Sequence, residues 1–190
     1  MIYFSIKLIK KQKFKKIFTK YKFCLKFLKN KKILMQRIYN KLKELNIIFQ
    51  DFSHNPTFTC DEARCIDIPG ERVKSLILTN KNKTNFFMVI LGDDKKLDVK
   101  NLQKLLGENK LSFAKEEYII EKVGVKIGHI SPFALINNET KDIKIIFDEV
   151  LKGKQIGFHP LRNDKTIVLN MDFMEKFLKN LNFEYFYFEL

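Results

Sequence analysis

Tryptophan is absent from this 190-residue chain, and glycine (seven), proline (four) and cysteine (three) are sparse. Cys24, Cys60 and Cys65 are odd in number and form no Cys-x-x-Cys pair, which argues against a disulfide framework and suits a reducing compartment. His54 with Cys60 and Cys65 lacks a fourth ligand at a structural zinc spacing, so no metal is expected; the thiols read as free and partly buried. No apolar run is long enough to span a bilayer, and none has the form of a secretory signal, so no membrane is expected as a partner. There is no Walker loop, no dinucleotide glycine fingerprint after a strand, no Gly-x-Ser-x-Gly elbow and no His-Glu-x-x-His helix, which disfavours chemistry built on ATP, NAD, a nucleophilic serine or a metal. No cofactor is expected.

Acidic residues are missing from one region in particular. Residues 1–34 contain no Asp, Glu or Arg but twelve Lys, so most of the formal charge of +14 sits there and the rest of the chain is nearly balanced. Phe14, Ile17, Phe18, Tyr21, Leu25 and Leu28 recur at helical spacing among these lysines, although Phe23 and Phe27 break the face. Three readings stay open for this extension: a solvated segment ahead of a start at Met35, an organellar targeting peptide, or a basic amphipathic arm for RNA or a membrane surface. The expected division is therefore 1–34 as a Lys-rich extension and 35–190 as one domain, with a cytoplasmic location unless the extension targets an organelle.

What the chain has in quantity is apolar side chains, 45% of residues with 19 Phe, enough for a single core. Ile38, Leu42 and Leu45 predict a helix over 36–46, and Ile47 to Phe52 a strand. Asn55-Pro56 marks a turn, and Thr59 to Glu62 has the spacing of a capping box that starts a short helix. Val73 to Thr79 and Asn85 to Leu91 read as a hairpin across Asn80 to Lys83. Helices are expected over 97–106, capped by Asp98 and stopped by Gly107, and over 116–123, stopped by Gly124. Short strands are expected at 111–113, 133–136, 143–147, 155–158 and 166–170, then a helix over 171–181 and an aromatic strand over 183–188. This alternation implies an α/β domain, a mixed sheet with helices packed around it.

Four stretches carry the candidate chemistry. Gly128 to Pro132 is a Gly-x-x-x-Pro run, in which Gly permits φ > 0, Pro fixes φ, and the intervening N–H groups could form an anion-binding concavity; the same pattern also describes an ordinary loop. HNPTFTCDEA at His54–Ala63, IPGERVKSLILTNKNKTNFFMVIL at Ile68–Leu91 and GFHPLRNDKTIVL at Gly157–Leu169 accompany it. On periodicity alone Lys74 reads as a solvent-facing strand residue and His159 as a structural histidine at a strand end before proline.

Together, in this order, these four stretches resemble the YbaK-like aminoacyl-tRNA editing family, most closely its freestanding prolyl-tRNA editing proteins that hydrolyse Ala-tRNA(Pro). The resemblance runs from about Gln36 to the C-terminus. It implies an α/β editing-domain fold and a hydrolase that removes a mischarged aminoacyl ester in trans, with the tRNA acceptor end as partner and prolyl-tRNA synthetase as a further one. It implies Lys74, Gly128 and His159 as catalytic residues: Lys74 placing the terminal adenosine or ester, amides near Gly128 holding the oxyanion, and His159 orienting water or substrate. His54, Phe58, Ser75, Ile130, Ser131, Pro132 and Asn163 are implied as substrate-pocket residues. Ser75 departs from the Asn more often found after the family's Lys, which puts a side-chain amide contact there in doubt. The sequence alone also leaves open a Cys- or Ser-tRNA deacylase of the same fold, and a non-catalytic tRNA- or synthetase-binding module.

Overall fold

In the computed structural model the residues described are 33–57 and 59–190. The basic amphipathic pattern of the extension and Phe58 fall outside them. The chain divides into two units, Met1–Arg37 and Ile38–Leu190, and the second carries everything below.

Helix α1 covers residues 33–44, and its part within the second unit buries Ile38 and Leu42 completely at the expected i, i+4 spacing. Next come β1 (Phe49–Ser53), α2 (Cys60–Arg64), the hairpin β2 (Glu71–Asn80) and β3 (Phe86–Gly92), α3 (Val99–Leu105), β4 (Leu111–Phe113) and α4 (Glu116–Val123). A 3₁₀ helix (Pro132–Asn137), β5 (Ile143–Asp148), a short second 3₁₀ helix (Glu149–Leu151), β6 (Gln155–Phe158), β7 (Lys165–Asn170), α5 (Met171–Asn180) and β8 (Tyr185–Phe188) complete it. Local signals operate as their chemistry requires. Thr59 Oγ1 accepts from the Glu62 amide, Asp98 caps α3 through the amides of Lys100 and Asn101, and α4 ends on left-handed Gly124 at φ 70°.

Residues 133–136, expected as a strand, are instead part of the 3₁₀ helix Pro132–Asn137. The run Phe-Ala-Leu-Ile is continuous and apolar, so it has no period to distinguish strand from helix. The deciding groups lie just before it: Ser131 Oγ accepts from the Phe133 amide and Pro132 occupies the first turn, both helix-start signals. Phe133 then packs edge-on against Phe177 of α5 (centroids 5.5 Å) and Phe158 of β6 (6.1 Å), which pins the segment to the core.

The strands form one eight-stranded mixed sheet in the order β1-β7-β6-β2-β3-β5-β8, with β4 pairing β2 off this path. Its two halves join at a narrow place. β2 runs parallel to β6 only at Glu71↔Ile156 and Arg72↔Gly157, whereas it matches β3 antiparallel from Val73 to Thr79. β6 stops at Phe158 because His159 precedes Pro160, which has no amide hydrogen to extend a ladder. On the same edge of β2, β4 begins only at Leu78. Between these partners the sheet is open.

Candidate functional site

A cavity of about 280 Å³ lies at this opening. Its walls come from the 54–59 loop, the stretch from Ile66 into β2 as far as Ser75, the β6 end with residues 159–166, the loop from Gly128 to Ser131, and Asp93. Of the residues the sequence nominates, Lys74, Gly128, His159, His54, Ser75, Ile130, Ser131 and Asn163 all line it, although they span more than a hundred positions. Pro132 does not. It is buried at the start of the 3₁₀ helix, where its part is to aim the loop rather than to meet a ligand.

Lys74 projects from the face of β2 that also carries Leu76 and Leu78, side chains packed in the core beside Leu102 of α3. Its ammonium donates to the backbone carbonyls of Asp93 (3.1 Å) and Lys95. An ammonium has three hydrogens, so one is left for a ligand in the cavity. The loop that holds it is itself tied down: Lys95 Nζ reaches the fully buried Asp148 carboxylate at 2.6 Å and the Leu190 carbonyl at 3.0 Å. Lys74 is therefore a positioned cation rather than the freely moving solvent-face lysine that strand periodicity suggests.

Gly128 sits at φ +84°, the left-handed region, with open space where a Cβ would be, so the backbone angle and not crowding calls for glycine there. Not every amide of the loop is available. The His129 N–H donates to the Lys126 carbonyl (3.0 Å), and Pro132 has none, which narrows the expected concavity to the amides of Gly128, Ile130 and Ser131. The loop is braced at its far end, where Asn137 donates to the Val123 carbonyl (3.0 Å) and Asn138 to the Lys122 carbonyl (3.1 Å).

His159 faces the loop from the end of β6. Burial, and then the charge of neighbouring His129, lower its pKa to about 4 against an opposing backbone hydrogen bond with Ile130, so the ring is neutral at physiological pH. Its Nδ1 is shielded and has no protein partner among the described residues.

His54 and Asn163 serve the wall differently. His54 Nδ1 contacts the Asn55 carbonyl (2.8 Å) and Nε2 the Thr166 hydroxyl (3.1 Å), so both ring nitrogens are engaged in anchoring the loop. The Asn163 side-chain amide donates to the Thr57 backbone carbonyl (3.2 Å), while the Asn163 backbone carbonyl accepts from the Thr57 backbone N–H (2.8 Å). The two loops are thereby stapled over one side of the cavity. Cys65 is an exposed free thiol rather than a partly buried one. Residues that sequence reasoning passed over include Arg72, Gly70, Gly157 and Thr166, all on the wall. Gly70 carried a signal in the Pro69-Gly70 turn: at φ +89° a Cβ there would stand 2.8 Å from the Gln155 carbonyl, so a larger residue would push β6 from β2.

The fold and cavity define a class: a mixed-sheet α/β protein that gathers a fixed ammonium, a left-handed glycine loop and a neutral imidazole around a break in its sheet. The chain belongs to the aminoacyl-tRNA editing domain family, whose model matches residues 54–177. It is 35% identical over 147 residues to the prolyl-tRNA editing protein ProX of Acetoanaerobium sticklandii, covering 76% of this chain and 90% of that one. It is 29% identical over 154 residues to prolyl-tRNA synthetase associated domain-containing protein 1 of Bos taurus, covering 77% and 90%. A crystal structure of a proposed trans-editing enzyme for prolyl tRNA synthetase shares the fold at a TM-score of 0.59 and 16% identity, over 80% of this chain and 94% of that one.

Proposed function

We propose that the protein hydrolyses the ester of a mischarged tRNA in trans to the synthetase, with Ala-tRNA(Pro) as substrate and no covalent intermediate. The observation that carries this reading is the convergence of Lys74, the Gly128–Ser131 loop and His159 on one cavity. A synthetase pocket built for proline excludes the smaller alanine poorly, because each missing methylene is worth only about 1–3 kcal/mol, so a second, smaller site is needed. An aminoacyl ester is already activated. Its hydrolysis requires a placed water, donors for the oxyanion and a grip on the tRNA end.

In this reading water adds to the ester carbonyl, the carbonyl oxygen becomes an oxyanion facing the amides of Gly128, Ile130 and Ser131, and the C–O bond to the ribose breaks. The water's proton passes to the departing ribose oxygen, giving free alanine and tRNA. Lys74 places the ester or the adenosine through its remaining N–H, and neutral His159 orients water or substrate. The test is deacylation of Ala-, Cys-, Ser- and Pro-tRNA(Pro). Ala-tRNA(Pro) should be hydrolysed fastest and Pro-tRNA(Pro) spared. Preference for the Cys or Ser ester would reassign the substrate, and salt-sensitive binding without hydrolysis of any ester would make the protein a binding module.

A further inference from the structure

Backbone direction along β2 alternates. The Arg72 carbonyl accepts from the Asp93 amide on the β3 side (3.1 Å), whereas the Ile77 carbonyl accepts from the Ala114 amide on the opposite side (2.8 Å). In a strand the N–H and C=O of one residue point the same way and those of its neighbour the other way. Residues 73, 75 and 77 therefore direct their polar groups away from β3. On that side β6 reaches only to the Arg72–Gly157 pair, and β4 starts at Leu78. Ser75 falls between them, and its N–H and C=O face the opening where Ser75 itself lines the cavity. Polar backbone inside a sheet is almost always paired, so a donor and acceptor that no strand among the described residues pairs, side by side at a break in a central strand, invite a ligand.

We infer that the Ser75 backbone reads the base edge of the tRNA's 3′-terminal adenosine, its N–H donating to adenine N1 and its C=O accepting from the N6 amino group. The inference rests on the deacylase reading above, because an aminoacyl ester within this cavity brings its own adenosine with it. The chemistry matches in order: adenine presents an acceptor beside a donor, and one strand residue presents a donor beside an acceptor. Single-stranded bases are commonly held by hydrogen bonds to this edge with apolar groups against the ring faces. Val73 and Ile130 line the same cavity and supply such groups.

The experiment uses the full chain and alanylated tRNA(Pro) acceptor minihelices ending in adenosine, 7-deazaadenosine, 1-deazaadenosine or inosine, with Kd of the uncharged minihelices measured alongside kcat/KM. 1-Deazaadenosine lacks the N1 acceptor, and inosine reverses the pattern with an N1 donor and an O6 acceptor; 7-deazaadenosine keeps the edge intact. The result expected is at least a tenfold loss in kcat/KM and in affinity for the 1-deazaadenosine and inosine ends, with 7-deazaadenosine equal to adenosine. A second arm replaces the amide of residue 75 by an ester, which removes its N–H; that protein should lose affinity for the adenosine end and show no further loss with 1-deazaadenosine. Equal kcat/KM and Kd for all four ends would overturn the inference while leaving deacylation standing. Absence of hydrolysis would overturn the deacylase reading, and the Kd series would still decide whether the base edge is read.

Discussion

Lys74 shows how far one side chain's meaning depends on what stands behind it. Two carbonyls hold its ammonium and, among the described residues, no carboxylate pairs with it, so its charge is available to a substrate oxygen. Lys74→Ala should lower kcat/KM for Ala-tRNA(Pro) by about 10²-fold, the scale of removing one positioned electrostatic donor, with little change in Tm. Lys74→Arg should fall nearly as far, since a planar fork does not fit where a compact ammonium sits between two carbonyls. Near wild-type turnover in Lys74→Ala would remove the residue from the site. His159 carries a different signature. Its folded pKa of about 4 lies below the ~6.5 of an unfolded histidine, so between these values the unfolded chain binds more protons and stability falls as pH drops. His159→Gln should lessen the fall in urea midpoint between pH 7 and pH 5; an unchanged fall would mean that the imidazole is not held neutral by folding.

The loop at Gly128 is set by elements that touch no ligand. Behind it, Asp142 is partly buried, which pushes its pKa up, but hydrogen bonds from Lys122, Asn138 (3.0 Å) and Thr140 (2.7 Å) prevail and bring it to about 2. This knot ties the end of α4 to the turn before β5 and so braces both ends of the segment that carries the loop. Asp142→Asn should cost about 1–2 kcal/mol in unfolding free energy, the range for hydrogen bonds to a charged group. The depressed pKa sets the sign: the contribution is present above pH 4 and is lost as pH falls toward 2. Unfolding at pH 6 and pH 3 should therefore separate the two proteins widely at the first and narrowly at the second. An equal gap at both would assign the effect to packing. The kcat of Asp142→Asn should fall more than its KM rises, because the loop's amides meet the oxyanion only in the transition state.

For the molecule as a whole, charge and chemistry fall in different parts of the chain. Residues 1–34 hold twelve Lys and no acidic residue, while the matched editing domain begins at His54 and, among the described residues, the cavity is lined from His54 onward. A protein beginning at Met35 should keep its kcat on Ala-tRNA(Pro). Any rise in KM should shrink as salt is added, because attraction between lysines and phosphates is screened over about 8 Å at physiological ionic strength. Loss of kcat at every salt concentration would place the extension in the active site and abolish the proposed boundary. Among the described residues no helix is long and apolar enough to cross a membrane.

Local chemistry made most of the elements readable in advance: Asp98 as a cap, Gly124 as a stop, the Asn80–Lys83 hairpin and the period of α1 all act within a few residues of themselves. The expectation of a mixed-sheet α/β editing domain is likewise borne out. The sequence suggests a strand at Phe133–Ile136 where the structure has a 3₁₀ helix, because a solid apolar run has no period and its fate depends on where Phe158 and Phe177 lie. Sequence order could nominate Lys74, Gly128 and His159, but nothing local states that they face one cavity. That follows from β2 pairing β6 over only two residues, a register set between strands more than eighty positions apart, and from Pro160 ending β6 where it does. The opening beside Ser75 has the same origin: a gap in a sheet belongs to the partners that stop short of it, and no residue of β2 encodes their absence.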